Sequence, residues 1–264
     1  MTAEEEGILK DGSHVTFIVS CSPVRNAKGE VVSVVKVLHD ITKWKKAEEQ
    51  VKVSLKEKEV LLREIHHRVE NNLQILSSLL DLSSMQTQDP EAIVLFTEAR
   101  ATIHTMALIH SQLYQSDRFD QIDMEYHIHE LIGFLSRIYA SDLITPIIDC
   151  SDVYLSITQA IPCALVTNEL VSNAYKHAFA EGQKGTIHIP LRLSAGGTIF
   201  LSVKDDGIGI PDEVDIYTTD SLGLKLVANL VQQQLKGEIH VIRDKGTEFI
   251  VDFKLAKEEG INYA

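Results

Sequence analysis

Four polar side chains recur along one side of a segment that is otherwise apolar. Glu169, Asn173, Lys176 and His177 stand at positions i, i+4, i+7 and i+8, which is the spacing of one helix face. A carboxylate, an amide and a cation on a shared face suit the binding of Mg²⁺ and phosphate. A solvated face of an amphipathic helix would show the same spacing, so the stripe alone leaves both interpretations open.

Glycine-containing segments follow this stripe along the chain. The first leaves an apolar strand and contains Asp206, Gly207 and Gly209. Glycines permit close approach of the backbone to a ligand, although an ordinary Asp-Gly turn has the same composition. Gly223 opens a predicted helix whose backbone N–H groups could bind an anion, and Thr247 begins the last predicted strand. Each segment alone is weak evidence for a ligand site. The occurrence of all of them in this order along the chain is more specific evidence.

In order and spacing, these segments resemble the ATP-binding domain shared by histidine kinases, type II topoisomerases, heat-shock protein 90 and mismatch-repair ATPases. The resemblance implies an α/β sandwich that binds ATP and Mg²⁺ beneath a lid at residues 212–220. It implies Asn173 as the Mg²⁺ ligand. It also implies phosphate contacts from Lys176, His177 and the surroundings of Gly223.

The same resemblance assigns the adenine end of the site. Asp206 is expected to accept a hydrogen bond from the adenine amino group, with Gly207 and Gly209 shaping the loop around it. Thr247 is expected to lie near the adenine.

Two adjacent histidines, His66 and His67, lie in a predicted long helix. At 100° per residue His67 falls nearly opposite the apolar stripe, and His66 falls at its flank. An accessible imidazole can accept a phosphoryl group, and Glu64 or Glu70 could hold its tautomer or take its proton. Two surface histidines without a chemical role are the alternative. The apolar stripe consists of Leu62, Ile65, Val69, Leu73, Leu76 and Leu80.

The sequence around the histidines, His-His-Arg-Val-x-Asn-Asn-Leu-Gln, resembles the dimerisation helix of the HWE-related histidine kinases. In that group the histidine directly before the arginine is phosphorylated, which implies His67. The resemblance further implies transfer from ATP to His67 and then to an aspartate of a response-regulator receiver domain. The sequence differs from the group at Glu70, where lysine is usual.

The histidines need a long helix to display them. Residues 42–86 contain neither Gly nor Pro and are rich in strong helix formers, which predicts a coiled-coil or bundle helix. Asp89 can cap a second helix with Pro90 at its first position, and this helix should end near Gln115. Two helices with a short connection form an antiparallel hairpin. Two hairpins in a homodimer would bury the apolar faces as a four-helix bundle.

The regions on either side of the hairpin differ in character. Residues 7–42 predict three short strands, and they resemble the last strands and the exit of a PAS sensor domain. From Ile122 onward helices are predicted at 124–140, 158–180 and 221–236. Strands are predicted at 145–149, 153–156, 186–193, 198–205, 238–243 and 247–255.

The expected fold class is therefore α+β, in three parts. Residues 1–42 are the C-terminal remnant of a PAS domain, and residues 43–120 are the hairpin for dimerisation and histidine phosphotransfer. Residues 121–264 are the α/β-sandwich catalytic domain that binds ATP.

Composition restricts the partners. The chain has 264 residues, 24% of them charged, a net charge of −13 and a mean hydropathy of 0.00. The acidic balance argues against nucleic acid as the main partner, and no apolar run is long enough to predict a membrane segment. Three cysteines without metal spacing favour a reduced, cytoplasmic setting.

Two other functions fit the same residues. An ATPase of the topoisomerase or chaperone type would use Glu169, four residues before Asn173, to activate water. A dimeric scaffold would bind nucleotide without transferring phosphate.

Overall fold

The computed structural model describes residues 2–10, 12–115, 121–139, 143–219 and 221–256. The chain divides into two compact units, Met1–Ile65 and His66–Ala264. The boundary falls within a long helix, α1, which runs from Thr42 to Gln86. The predicted lid lies within the described residues except for Asp220.

The first unit contains an antiparallel sheet of three strands in the order β1-β2-β3. The strands are β1 Thr2–Ile8, β2 His14–Arg25 and β3 Val31–Asp40, so the first begins earlier than residue 7. At the exit of the sheet the Asp40 carboxylate accepts hydrogen bonds from the backbone N–H and the hydroxyl of Thr42, at 2.9 and 2.6 Å. These bonds fix the start of α1.

The predicted helical hairpin is confirmed. Helix α2, Pro90–Gln115, follows a three-residue connection, and the Asp89 carboxylate accepts a hydrogen bond from the Glu91 N–H at 3.0 Å. Pairs of residues in contact across the hairpin show that α1 and α2 are antiparallel. These pairs are His66 with His110 and Asp81 with Arg100.

Helix α2 has a second buried face that the sequence pattern does not predict. Ala101, Thr105, Ile109 and Gln112 are buried, at a spacing of three or four residues. There α2 packs against two helices of the following domain, at 124–139 and 157–173. By length and composition alone, Pro90–Gln112 could cross a membrane. In the structure it is a helix of the hairpin whose second face completes a protein core.

The rest of the second unit is the predicted mixed domain. Its helices are α3 Met124–Tyr139, α4 Ile157–Asn173 and α5 Leu222–Asn229, and the last two continue as π-helical turns, Ala174–Ala178 and Leu230–Leu235. Its strands are β4 Gln121–Asp123, β5 Ile144–Cys150, β6 Tyr154–Ser156, β7 Gly185–Leu193, β8 Thr198–Asp205, β9 Glu238–Ile242 and β10 Glu248–Lys254.

Five of these strands form the main sheet, in the order β5-β7-β8-β10-β9, and β4 pairs separately with β6. Only β5 and β7 are parallel among the neighbours in this sheet. Alternate residues are buried, as in β8, where Ile199, Leu201 and Val203 are buried and Phe200 is exposed. One face of the sheet therefore carries the helices, which confirms the α/β sandwich.

A buried histidine in α3 makes the stability of this core sensitive to pH. His127 has no exposed surface, and neither ring nitrogen has a hydrogen-bond partner. Burial, together with a smaller effect of the nearby His104 of α2, lowers its pKa from 6.5 to about 3. The unfolded chain binds a proton below pH 6.5 that the folded chain excludes, so stability is present above that pH and is lost as the pH falls toward 3.

We therefore expect His127→Leu to flatten the acid side of the stability profile. Between about pH 7 and pH 5 the free energy of unfolding of the wild type should fall by roughly 2 kcal/mol more than that of the variant. Urea unfolding at both pH values measures the difference. His129→Gln, an exposed position on the same helix, is the matched control and should follow the wild type. Parallel profiles for wild type and His127→Leu would contradict the expectation.

Candidate functional site

A cavity of about 420 Å³ opens beside the C-terminal half of α4 and the loop after β8. Asn173 lines it from the end of α4 and His177 from the π-helical turn that follows. Asp205 lines it from the end of β8, Gly209 from the loop after that strand, and Thr247 from directly before β10. The remaining lining is mostly apolar. The lining residues without a hydrogen-bonding or charged side chain include Leu170, Ala174, Val203, Ile208, Ile210, Val214, Leu224 and Phe249.

The carboxylate inside the cavity is that of Asp205. Its side chain is buried, and its Oδ1 accepts hydrogen bonds from the backbone N–H groups of Gly207 and Thr247 at 3.0 and 3.2 Å. Burial raises the pKa of this carboxyl, and the two N–H donors act in the opposite direction. These donors favour the ionised form, which can accept a hydrogen bond from a ligand.

Asp206, the residue expected to contact adenine, lies outside the cavity. It is exposed, and its two carboxylate oxygens accept hydrogen bonds from the N–H and the hydroxyl of Thr186 at 2.7 and 2.8 Å. The backbone hydrogen bond from Thr186 holds its pKa below the ordinary value. The alternation of β8 explains the difference, because Asp205 continues the buried series of Val203 and Asp206 begins the turn.

Two glycines allow the loop to close around this carboxylate. A Cβ at Gly207 would lie 1.9 Å from the carbonyl oxygen of Ala178, and the next residue, Ile208, donates its N–H to that oxygen at 2.8 Å. Gly209 has a φ of 79° and lines the cavity. Gly207 therefore fits the loop against the end of α4, and Gly209 supplies part of the wall.

The polar side chains predicted to share one helix face lie in different surroundings in the structure. Asn173 and His177 face the cavity, and Glu169 lies beside Gly223 at the start of α5. A Cβ at Gly223 would be 2.8 Å from Oε2 of Glu169 and 4.0 Å from Nδ2 of Asn173, so these three residues adjoin. Burial raises the pKa of Glu169, which Lys176 partly offsets.

Lys176 does not line the cavity. Its Nζ donates to Oε1 of Glu98 in α2 at 2.8 Å, and its side chain is only 19% exposed. The lysine expected at the phosphates therefore links α4 to the hairpin. His177 does face the cavity, and burial, reinforced by the nearby Lys176 charge, lowers its pKa.

These side chains fit a Mg²⁺ ion that is held mainly by a bound polyphosphate. Among the residues that the structure describes, no group of three or more His, Cys, Asp or Glu side chains could hold a metal ion. Mg²⁺ often takes only one or two protein oxygens and obtains the others from phosphates and water. Asn173 can supply such an oxygen at the cavity wall.

The two histidines of α1 face different surroundings. The side chain of His67 is 59% exposed, and its Nδ1 is 3.9 Å from Oε2 of Glu70. His66 is half-buried and turned toward α2, with its Nδ1 3.3 Å from Nδ1 of His110. Glu64 is exposed on the preceding turn. The hairpin thus presents one imidazole to solvent and encloses the other, as the helical geometry predicts.

Three family models match the chain. Residues 64–139 match the histidine kinase family HisKA_2, and residues 158–257 match the family of histidine kinase-, DNA gyrase B- and HSP90-like ATPases. Residues 2–43 match the PAS domain family.

Most of the chain is also similar to known proteins. The sensor histidine kinase PdtaS of Mycobacterium tuberculosis is 29% identical over 245 residues, which are 91% of this chain and 48% of that protein. Blue-light-activated histidine kinase 2 of Erythrobacter litoralis is 25% identical over 203 residues, 75% of this chain and 58% of that protein. The chain thus spans about half the length of these relatives.

The fold is also found in solved structures. The Erythrobacter litoralis EL346 blue-light activated histidine kinase aligns with a TM-score of 0.59 and 21% identity, covering 98% of this chain and 77% of that one. A structure of its histidine kinase domain aligns with a TM-score of 0.56 and 20% identity, covering 70% and 94% of the two chains. The arrangement of helices and strands is therefore an established one.

Proposed function

Because the chain belongs to the histidine kinases, with their ATPase domain and a preceding PAS segment, we propose that it phosphorylates itself on His67 from ATP. The observation that supports this most directly is the exposed imidazole of His67 beside Glu70, within the unit that also holds the nucleotide cavity. The phosphoryl group then passes to an aspartate of a response-regulator receiver domain, and the cytoplasm, where ATP is available, is the proposed location.

The proposed nucleotide contacts follow the geometry of the cavity. Asp205, which replaces Asp206 in this role, accepts a hydrogen bond from the adenine amino group, and Thr247 lies beside the same end. Asn173 supplies an oxygen to Mg²⁺, and His177 lies nearer the phosphates. Bound Mg²⁺ would neutralise charge on the phosphates as the leaving group departs.

The proposed transfer uses the two ring nitrogens of His67 differently. Nδ1 faces Glu70, and a proton held there leaves the lone pair of Nε2 free to attack. A bond forms between Nε2 and the γ-phosphorus as the bond to the bridging oxygen breaks, and ADP leaves with the electron pair. The carboxylate of Glu70, 3.9 Å from Nδ1, then accepts the Nδ1 proton.

We also propose a homodimer through the hairpin. The apolar stripe of α1 is only partly covered within the second unit, where Leu76 remains 48% exposed. A second hairpin would cover it and complete a four-helix bundle.

Asp205→Asn should weaken ATP binding at least about tenfold, because a hydrogen bond to a charged acceptor contributes roughly 1.5–3 kcal/mol. Asp206→Asn is the matched control and should bind almost as well as the wild type, since its carboxylate contacts Thr186 outside the cavity. Titration calorimetry with a non-hydrolysable ATP analogue measures both. A large loss in Asp206→Asn, with none in Asp205→Asn, would return the adenine contact to Asp206.

His67→Gln should abolish labelling by γ-labelled ATP and leave nucleotide binding intact, because the acceptor is outside the cavity. His66→Gln should retain label, since its ring faces His110. The label should be labile to acid and stable to alkali. Full labelling of His67→Gln would overturn the assignment. Steady phosphate release without labelling of the protein would favour the ATPase, with Glu169 as the base that activates water. ATP binding with neither phosphate release nor labelling would favour the dimeric scaffold.

Leu76→Glu should shift the protein from dimer to monomer at micromolar concentration, because it places a charge within the apolar stripe. Ser78→Glu adds the same charge about 200° around the helix and should leave the dimer intact. Sedimentation equilibrium distinguishes the two. A monomeric wild type would refute the proposed dimer.

A further inference from the structure

The segment between the glycine loop and α5 forms one wall of the cavity. Pro211, Val214 and Thr219 line the cavity, and the segment contains neither helix nor strand between them. Its local hydrogen bonds are turns, in which the N–H of Val214 bonds to the carbonyl of Pro211 at 3.1 Å and that of Thr219 bonds to Asp215 at 2.8 Å. Turns of this kind shape the segment and do not attach it to the domain.

Three contacts attach it instead, one of them a hydrogen bond from the Tyr217 hydroxyl to the carbonyl oxygen of Ile239 in β9 at 3.5 Å. The side chain of Ile216 is buried in the hydrophobic core. Arg243, directly after β9, donates from Nη2 to the carbonyl oxygen of Val214 at 2.7 Å. Its Nε also lies 3.9 Å from the carboxylate of Asp212, which is 93% exposed, so that ion pair is screened by solvent and contributes little.

The position of Arg243 in the chain connects the attachment of the 211–219 segment to the opposite wall of the cavity. Arg243 begins the turn between β9 and β10, and the same turn ends at Thr247, whose N–H holds the carboxylate of Asp205. Val214 lines the cavity, and its carbonyl oxygen accepts the hydrogen bond from Arg243. One short turn thus holds both the Asp205 carboxylate and the middle of the 211–219 segment.

We propose that Arg243 is a positioning residue that holds the 211–219 segment over the bound nucleotide and sets how long the nucleotide stays. The inference rests on the proposed function, because it takes ATP as the occupant. A guanidinium donor bonded to a carbonyl is charge-assisted and rigid, so its loss releases the segment at its midpoint. Ile216 keeps the segment folded near its end, and the domain itself stays intact.

The test compares Arg243→Gln, Arg243→Lys and Arg192→Gln with the wild type. Arg192 is an exposed arginine on β7 that pairs with Asp149 away from the cavity, so it controls for loss of a surface guanidinium. Stopped-flow displacement of a fluorescent ATP analogue gives the dissociation rate. Labelling of His67 over a range of ATP concentrations gives KM and kcat.

Arg243→Gln should dissociate the analogue about tenfold faster and raise KM for ATP by a similar factor, with kcat at saturating ATP within about twofold. Arg243→Lys should be intermediate, and Arg192→Gln should match the wild type. Wild-type dissociation and KM in Arg243→Gln would overturn the proposal, as would a fall in kcat at unchanged KM. A loss of thermal stability shared by both Arg243 variants, without rescue by lysine, would also overturn it. A wild type that binds no ATP would refute the proposed function itself.

Discussion

The buried carboxylate of Asp205 is the constraint on which the rest of the cavity depends. A carboxylate with so little exposure is stable only when hydrogen bonds replace water, and the N–H groups of Gly207 and Thr247 provide them from two separate segments. Those segments can approach because residues 207 and 246 are glycines, where a Cβ would lie 1.9 and 2.0 Å from a backbone oxygen. The loop after β8, the turn before β10 and the end of α4 are therefore placed relative to one another around one carboxylate.

Helix α2 extends this arrangement to the hairpin. One of its faces meets α1 through contacts such as His110 with His66, and the other is buried against α3 and α4. The ion pair of Glu98 with Lys176 lies in this second contact, part-buried, and joins the helix that carries Asn173 to the helix that contacts His66. A change in the packing of α2 would therefore act on both the hairpin and the cavity wall, because a packed interface of this kind does not deform continuously.

The sequence predicted features that depend on local regularity and missed those that depend on distant packing. The exposure of His67 followed from the uniform 100° geometry of a long helix. The carboxylate in the cavity was placed one residue late, at Asp206, although the alternating buried residues of β8 extend to Asp205 and carried the signal. The contact of Lys176 with Glu98 joins residues 78 positions apart, and nothing in the local sequence of either residue indicates the other.

The position of Lys176 also changes the electrostatics of the proposed site. With its ammonium paired to Glu98, the described lining of the cavity contains no lysine or arginine. His177 adds little positive charge near neutral pH, because burial lowers its pKa. In an acidic chain the charge of a triphosphate must therefore be balanced by sources other than side-chain cations. The backbone N–H groups at the start of α5, where Ser221 lines the cavity, are suited to do this, as is a Mg²⁺ ion on its proposed ligand Asn173. A glycine at position 223 is needed for this arrangement, because a side chain there would meet the Glu169 carboxylate and separate the start of α5 from Asn173.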